Sequence, residues 1–234
     1  MSAPEFNTRD AATAAFWSER YARAFTPWEQ GGVPLALSRA IAAAAARATL
    51  HAWGEVPHAP AAVLVPGCGS GHEIVALTLA GYKVLAIDIA PEAVALAQAH
   101  ALVHAREQLA REGCHISAQD FFAVAARSEH AGRYAWIYER AFACALPPRT
   151  WPQWAAAIAI LVAPGGVLAG LFMVDHDAPA AREERRGPPF AMRMQDLHDL
   201  LDEHFVLECD EPVPDDESIA VFRGKERWMA WRRK

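Results

Sequence analysis

The chain has 234 residues, 53% of them hydrophobic, and its 22 Lys and Arg stand against 28 Asp and Glu for a formal charge of −6. This composition excludes a disordered chain, and the acidic balance argues against nucleic-acid or anionic-membrane partners, which need a basic face. Four separated cysteines exclude a disulfide scaffold and a zinc site. Without a visible secretory leader or an apolar run of about 20 residues, the sequence predicts a soluble, cytoplasmic protein.

The predicted elements follow the order expected of an α/β protein. Residues 1–32 mix aromatic and charged side chains, and an alanine-rich helix is predicted over 35–51. From residue 61 onward, short apolar runs alternate with helical patterns, which is typical of a parallel sheet. The predicted strands lie at 61–66, 83–89, 115–118, 134–138 and 167–174, with closing strands at 205–209 and 220–231, and the predicted helices at 72–80, 91–112, 151–162 and 190–203.

This alternation predicts the fold class: α/β, with a doubly wound, mostly parallel seven-stranded sheet that ends in an antiparallel hairpin. We expect a single domain over residues 1–234, in which residues 1–60 form a helical and aromatic cover and residues 61–234 the sheet domain. The polar residues 175–187 predict an exposed loop. Within it, Asp175-His176-Asp177 is interpreted as solvated surface, with an acceptor-site base or metal pair as the alternative. Nothing in the sequence requires a metal.

A glycine-rich loop, V-P-G-C-G-S-G, follows the first predicted strand and is the sharpest signal in the chain. Glycines at 67, 69 and 71 allow close backbone approach to a ligand. Asp88 ends the next strand, where a carboxylate can accept hydrogen bonds from both ribose hydroxyls. Because His72 follows Gly71 directly, the spacing is not the G-x-G-x-x-G of pyrophosphate-binding loops. A phosphate-binding G-x-x-x-x-G-K-[ST] motif is also missing from the sequence.

The loop resembles that of class I S-adenosylmethionine-dependent methyltransferases, whose cofactor has no phosphate. In that family an acidic residue and an apolar neighbour follow the third strand and face adenine, which corresponds to Asp120 and Phe121 here. The acidic residue that the general family often has at the position of Val65 is absent. This departure points to a narrower branch.

V-P-G-C-G-S-G-H-E is similar to the thiopurine S-methyltransferase family, which includes bacterial members and plant halide/thiol methyltransferases. Three further segments agree with this resemblance. They are F-W-S-E-R-Y with T-P-W-E-Q-G over 16–31, Y-E-R-A over 138–141 and G-P-P-F over 187–190. Glu139 stands where Asp is common, and Arg140 follows the thiopurine-type branch, because the plant enzymes typically have Tyr there.

The resemblance implies that the N-terminal aromatic residues close over the cofactor and that Arg140 lies between cofactor and acceptor. Aromatic faces favour a sulfonium cation, and a lid excludes water. The alternatives are a hydrophobic clamp for the aromatic residues and a surface ion pair for Arg140. The implied cofactor-binding residues are Trp17, Tyr21, Trp28, Gly67, Gly69, Gly71, Asp88, Asp120, Phe121 and Arg140, with Arg140 also the catalytic candidate.

The expected function is methyl transfer from S-adenosylmethionine, leaving S-adenosylhomocysteine, to a small soft nucleophile. A thiol is the expected acceptor, with halide, thiocyanate, selenium or tellurium species as alternatives. Arg140 would lower the pKa of the thiol or bind an acceptor carboxylate. From other classes, an NAD-dependent oxidoreductase and a non-catalytic cofactor-binding protein stay open. The expected partner is a small-molecule acceptor alone, and the resemblance implies a monomer.

Overall fold

The computed structural model describes residues 6–47, 55–110 and 113–234. The strands are β1 Ala62–Pro66, β2 Lys83–Asp88, β3 Cys114–Ala118, β4 Tyr134–Arg140, β5 Val162–Met173, β6 Phe205–Pro212 and β7 Glu226–Arg233. The α-helices in the described ranges are α1 Ala14–Ala22, α2 Leu35–Ala46, α3 His72–Leu79, α4 Pro91–His104, α5 Arg106–Ala110, α6 Phe121–Ala125, α7 Trp151–Leu161 and α8 Met194–Leu201. In these ranges no helix is both long and apolar enough to cross a bilayer.

The strands form one seven-stranded sheet in the order β3-β2-β1-β4-β5-β7-β6, which confirms the predicted fold class. Strands β1 to β5 pair in parallel, and β7 runs antiparallel to both β5 and β6. The direction of winding changes between β1 and β4. In open α/β sheets such a switch point opens a crevice at the carboxyl ends of the strands, and ligands bind there.

Helices cover both faces of the sheet, because successive strand residues point to opposite faces. Val63 of β1 belongs to the core on the side of α2, α3 and α4, whereas Leu64 belongs to the core on the side of α6, α7 and α8. Both residues are fully buried. A strand that is buried on both faces reads as a continuous apolar run, and this is why β1 could be recognised in the sequence.

Several predicted boundaries differ from the structure. The predicted helix over 91–112 is interrupted at Ala105, between α4 and α5, and residues 111–112 lie outside the described part of the chain. Helix α2 stops at Ala46 because Arg47 adopts a left-handed conformation, with φ 49°. The rest of that predicted helix, from residue 48, also lies outside the described part.

The predicted turn at Pro164-Gly165-Gly166 lies inside β5. Tyr134 pairs with Val162, whereas Trp136 pairs with Val167, so β5 carries extra residues as a bulge. Such a bulge lets a strand bend without ending. Among the other differences, α1 occupies part of a segment without a predicted element, and β7 begins at 226 rather than 220.

Candidate active site

A cavity of about 580 Å³ opens at the carboxyl ends of β1, β2 and β4, under the N-terminal segment. Nine of the ten residues that were predicted to bind the cofactor line it: Trp17, Tyr21, Trp28, Gly67, Gly69, Asp88, Asp120, Phe121 and Arg140. Gly71 is the exception. A Cβ at Gly71 would lie 2.9 Å from the Cβ of Ala97 on α4, so this glycine allows α3 to begin against α4.

The glycine loop places bare backbone against the cavity. Gly67 and Gly69 have φ angles of 60° and 53°, which L side chains rarely adopt. A Cβ at Gly67 would meet the ring of Phe142 at 2.6 Å, and one at Gly69 would meet Oε1 of Glu29 at 2.6 Å. Both glycines are therefore required by conformation and by space.

Asp88, at the end of β2, is a buried carboxylate held by backbone donors. Its Oδ2 accepts a hydrogen bond from Gly69 N at 3.1 Å, and its Oδ1 accepts one from Ala90 N at 2.9 Å. Burial raises the pKa of Asp88 to about 6, even though these two hydrogen bonds act in the opposite direction. Each oxygen keeps a further lone pair for a ligand hydroxyl.

The aromatic cover packs as a connected group over the cavity. The rings of Trp17 and Trp28 are 5.4 Å apart, edge to face, and those of Tyr21 and Trp28 are 5.9 Å apart. Trp28 Nε1 donates to Tyr21 Oη at 3.2 Å, and Trp17 Nε1 donates to Ala11 O at 2.8 Å. Each indole N–H therefore has a partner inside the cover, and both tryptophans line the cavity.

Glu29 ties this cover to the glycine loop, a contact that the sequence did not suggest. Its carboxylate accepts hydrogen bonds from Ser70 N at 3.0 Å, from Ser70 Oγ at 2.5 Å and from Tyr21 Oη at 3.1 Å. Glu29 directly follows Trp28 in the T-P-W-E-Q-G segment. That position was the available signal, but its partner lies 41 residues away along the chain.

We expect Glu29→Ala to weaken cofactor binding about ten- to a hundredfold, because hydrogen bonds to a charged group contribute about 1.5–3 kcal/mol. Ser70→Ala should have a smaller effect, since it removes only the hydroxyl contact. The double variant should match Glu29→Ala alone, because both changes break one interaction. Calorimetric titration with S-adenosylhomocysteine measures all three. Losses that simply add would show that the two residues act independently.

Arg140, the last residue of β4, also lines the cavity. Its Nη1 donates to Glu73 Oε1 at 2.7 Å, and its Nη2 donates to Gln30 Oε1 at 2.8 Å. Burial alone would lower the pKa of Arg140, but the Glu73 carboxylate and its acidic surroundings outweigh burial and raise it. Arg140 is thus a charged side chain in an ion pair with a side-chain exposure near 10%. It is not a surface pair.

The next residue, Ala141, has φ 57° and turns the chain sharply away from the sheet. The buried Glu139 carboxylate holds this turn, because its Oε1 accepts hydrogen bonds from Phe142 N and Ala143 N, both at 2.9 Å. Burial raises the pKa of Glu139 to about 7. Glu139 therefore fixes the backbone turn that follows Arg140 in the cavity wall.

Asp120 and Phe121 mark the third strand's end of the cavity. Asp120 Oδ1 accepts a hydrogen bond from Ala123 N at 2.8 Å and so caps α6. The ring of Phe121 lies 5.1 Å from that of Phe142. Asp120 has a structural task that the sequence analysis did not assign to it, in addition to its place in the cavity wall.

The structure gives no catalytic role to the remaining acidic, cysteine and histidine candidates. Asp175 does not line the cavity, and it pairs with Lys225 at 2.6 Å. Cys68 and Cys144 line the cavity, but burial raises the pKa of each thiol, so both stay protonated. His100 and His104 are four residues apart on α4, a pair that the sequence analysis overlooked, yet the described ranges hold no three-residue group able to bind a metal ion.

A mostly parallel sheet with this strand order and an antiparallel β7, a glycine loop after β1 and a carboxylate at the end of β2 define the class I S-adenosylmethionine-dependent methyltransferases. The structure of 1,6-didemethyltoxoflavin-N1-methyltransferase from Burkholderia thailandensis, with bound S-adenosylhomocysteine, shares the fold. Its TM-score is 0.65 at 18% identity, over 100% of this chain and 93% of that chain.

The family model for thiopurine S-methyltransferase (TPMT) matches residues 12–234, and the chain belongs to this family. It is similar to the probable thiol methyltransferase 2 of Arabidopsis thaliana, with 26% identity over 93% of this chain and 84% of that protein. It is also similar to thiocyanate methyltransferase 1 of Brassica oleracea, with 27% identity over the same shares. The protein is accordingly an S-adenosylmethionine-dependent methyltransferase.

Proposed function

We propose that this enzyme methylates the sulfur of a small thiol. The observation that carries the proposal is the position of Trp28. Trp28 packs in one cluster with Tyr21 and in a second cluster with Cys144 and Phe222. One side chain therefore borders both halves of a single cavity, which is the arrangement that direct transfer between two bound molecules needs.

The glycine loop half of the cavity fits S-adenosylmethionine. Gly67 and Gly69 line it without side chains, and Asp88 offers carboxylate oxygens at its wall. Asp88 would hold the ribose hydroxyls, while Trp17 and Trp28 would place aromatic faces near the sulfonium. Asp120 and Phe121 would border the adenine.

When bound, the cofactor would supply a methyl group on a positively charged sulfur. An electron pair of the acceptor sulfur would form the new bond to the methyl carbon, and the electron pair of the broken bond would stay on the sulfur of the cofactor. The chain itself contributes proximity and orientation, which can supply about 7–11 kcal/mol. Tyr21, Trp28 and Glu29 would keep water away from the methyl group by holding the cover on the glycine loop.

A thiol is favoured over a hard nucleophile because a thiol, with an ordinary pKa of about 8.5, ionises readily without a dedicated general base. The thiols of Cys68 and Cys144 stay protonated, and Arg140 is a cation. The guanidinium of Arg140, although paired with Glu73, would favour the thiolate over the thiol, and the proton of the thiol would pass to solvent. The names of the relatives, thiol and thiocyanate methyltransferases, agree with soft, anionic acceptors.

The test is the release of S-adenosylhomocysteine with a panel of thiols, thiopurine, thiocyanate and iodide. We expect turnover with at least one thiol to exceed that with thiocyanate and iodide. Turnover with thiocyanate or iodide but with no thiol would make that anion the acceptor. Cofactor binding without turnover of any acceptor would favour a non-catalytic cofactor-binding protein. A melting shift with NADH but none with S-adenosylmethionine would contradict the whole assignment.

A further inference from the structure

Tyr138 is a buried tyrosine whose hydroxyl has no hydrogen-bond partner. In the described ranges, seven buried side-chain atoms lack a partner, among them Tyr138 Oη and Arg140 Nε. Only these two belong to residues that line the cavity. The unpartnered polar atoms of the cavity wall therefore lie on one short stretch of β4.

The other tyrosines of the chain are all satisfied. Tyr21 Oη donates to Glu29, Tyr82 Oη donates to Pro57 O at 2.7 Å, and Tyr134 Oη lies 2.6 Å from His130 Nδ1. A buried tyrosine usually finds such a partner, because leaving its hydroxyl unpaired costs free energy. Phenylalanine would fill the Tyr138 position without that cost. The hydroxyl therefore calls for an explanation outside the fold.

Tyr138 and Arg140 are two residues apart on β4, so their side chains lie on the same face of the sheet. Glu73 and Gln30 hold two nitrogens of the guanidinium, which leaves its Nε. The ring of Tyr138 packs edge to face on Trp136, with centroids 5.9 Å apart. Burial and the nearby Glu73 raise the pKa of Tyr138, so that its hydroxyl stays a neutral donor.

We infer that Tyr138 Oη and Arg140 Nε donate hydrogen bonds to a non-reacting acceptor group, such as a carboxylate, on the methyl acceptor. This inference rests on the proposed function and deepens it. The substrate class would be a small thiol that carries a hydrogen-bond-accepting group near its sulfur. Tyr138 would be a residue that determines specificity.

The reacting sulfur itself is a poor target for these donors. A thiolate loses its negative charge as the new bond forms, so a hydrogen bond to sulfur would stabilise the ground state more than the transition state. Hydrogen bonds to a group that does not react are equally strong in both states. They improve binding of the correct acceptor and leave the methyl transfer itself unhindered.

The test compares Tyr138→Phe with Tyr134→Phe, a second buried tyrosine of β4 that lies away from the cavity. The acceptors are 3-mercaptopropionate and 1-propanethiol, of equal chain length with and without a carboxylate. We expect Tyr138→Phe to raise KM for 3-mercaptopropionate about tenfold, to leave kcat/KM for 1-propanethiol unchanged, and not to lower the melting temperature. Tyr134→Phe should lower the melting temperature and keep the wild-type KM for both acceptors.

The opposite pattern would overturn the inference. If Tyr138→Phe lowers the melting temperature as Tyr134→Phe does, or affects both acceptors equally, the hydroxyl has a structural role. If the wild-type enzyme methylates both thiols and Tyr138→Phe has the same KM for 3-mercaptopropionate as the wild type, the inference fails and the proposed function stands. If the wild-type enzyme methylates no thiol at all, the proposed function fails and the inference falls with it.

Discussion

Asp88→Ala is expected to weaken cofactor binding by about 1.5–3 kcal/mol, or roughly ten- to a hundredfold, because it removes a charged acceptor for ligand hydroxyls. The carboxylate is placed for this task by the backbone N–H groups of Gly69 and Ala90. Isothermal titration with S-adenosylhomocysteine measures the loss directly. Because Asp88→Ala also leaves the N–H groups of Gly69 and Ala90 without this acceptor, a melting curve must show that the variant is folded at the titration temperature.

The same residue predicts a pH dependence. Burial raises the pKa of Asp88 to about 6, so the free protein protonates this group as the pH falls through 6. A protonated carboxyl loses its charge and one acceptor, and cofactor affinity should therefore be constant above pH 6 and should fall below it. The amide of Asp88→Asn does not titrate in this range, so this variant should bind the cofactor more weakly and with an affinity that changes little with pH.

The matched control is Asp210→Asn, which breaks an ion pair with Arg227 on the distant edge of the sheet. It should keep both the affinity and the pH profile of the wild-type protein. If Asp88→Ala binds the cofactor as tightly as this control, then Asp88 does not hold the cofactor, and the assignment of the glycine loop half of the cavity must be revised.

Arg185→Ala is expected to destabilise the fold by about 3–5 kcal/mol, because it breaks the buried ion pair with Asp196, which would then be left with Arg182 and the Arg193 N–H as partners. Arg185 Nη1 donates to Asp196 Oδ2 at 2.5 Å and to Ala191 O at 2.9 Å, and its Nε donates to Pro179 O at 2.9 Å. At 2–4 °C per kcal/mol for a domain of this size, the melting temperature should fall by about 6–20 °C.

Arg186 is the control, since it is the next residue in the chain and is exposed. Arg186→Ala should change stability by less than about 0.5 kcal/mol. Gly187, Pro188 and Pro189 line the cavity, so loosening this loop should also raise KM for the acceptor. Equal melting temperatures for the two variants would show that the buried pair contributes little.

The prediction of an exposed loop is wrong at Arg185. Residues 175–187 were predicted to form an exposed loop because they are polar and charged, yet Arg185 is only 4% exposed. Local composition cannot show that one arginine turns inward. Its burial depends on partners such as Asp196 on α8, which only the folded loop brings within reach.

The glycine loop, the aromatic cover and Asp88 could be predicted because each is a short pattern within a few residues. The succession of strands and helices along the chain followed from the alternation of apolar runs and helical stretches, whereas the order of the strands in the sheet came from the structure. Gly71 belongs to the same motif, but it packs against Ala97 of α4 instead of lining the cavity. The loop sequence alone does not indicate this contact.

The sequence by itself determined the class of the fold, carried the family resemblance and identified most of the residues that line the cavity at the glycine loop, because these depend on residue type and spacing along the chain. Only the tertiary structure decided that Glu29 meets Ser70, that Arg140 is paired with Glu73, and that Tyr138 is left unpaired. These contacts join segments 41 and 67 residues apart. The charge and hydrogen bonding of a buried group depend on what surrounds it, and the surroundings exist only once the chain has folded.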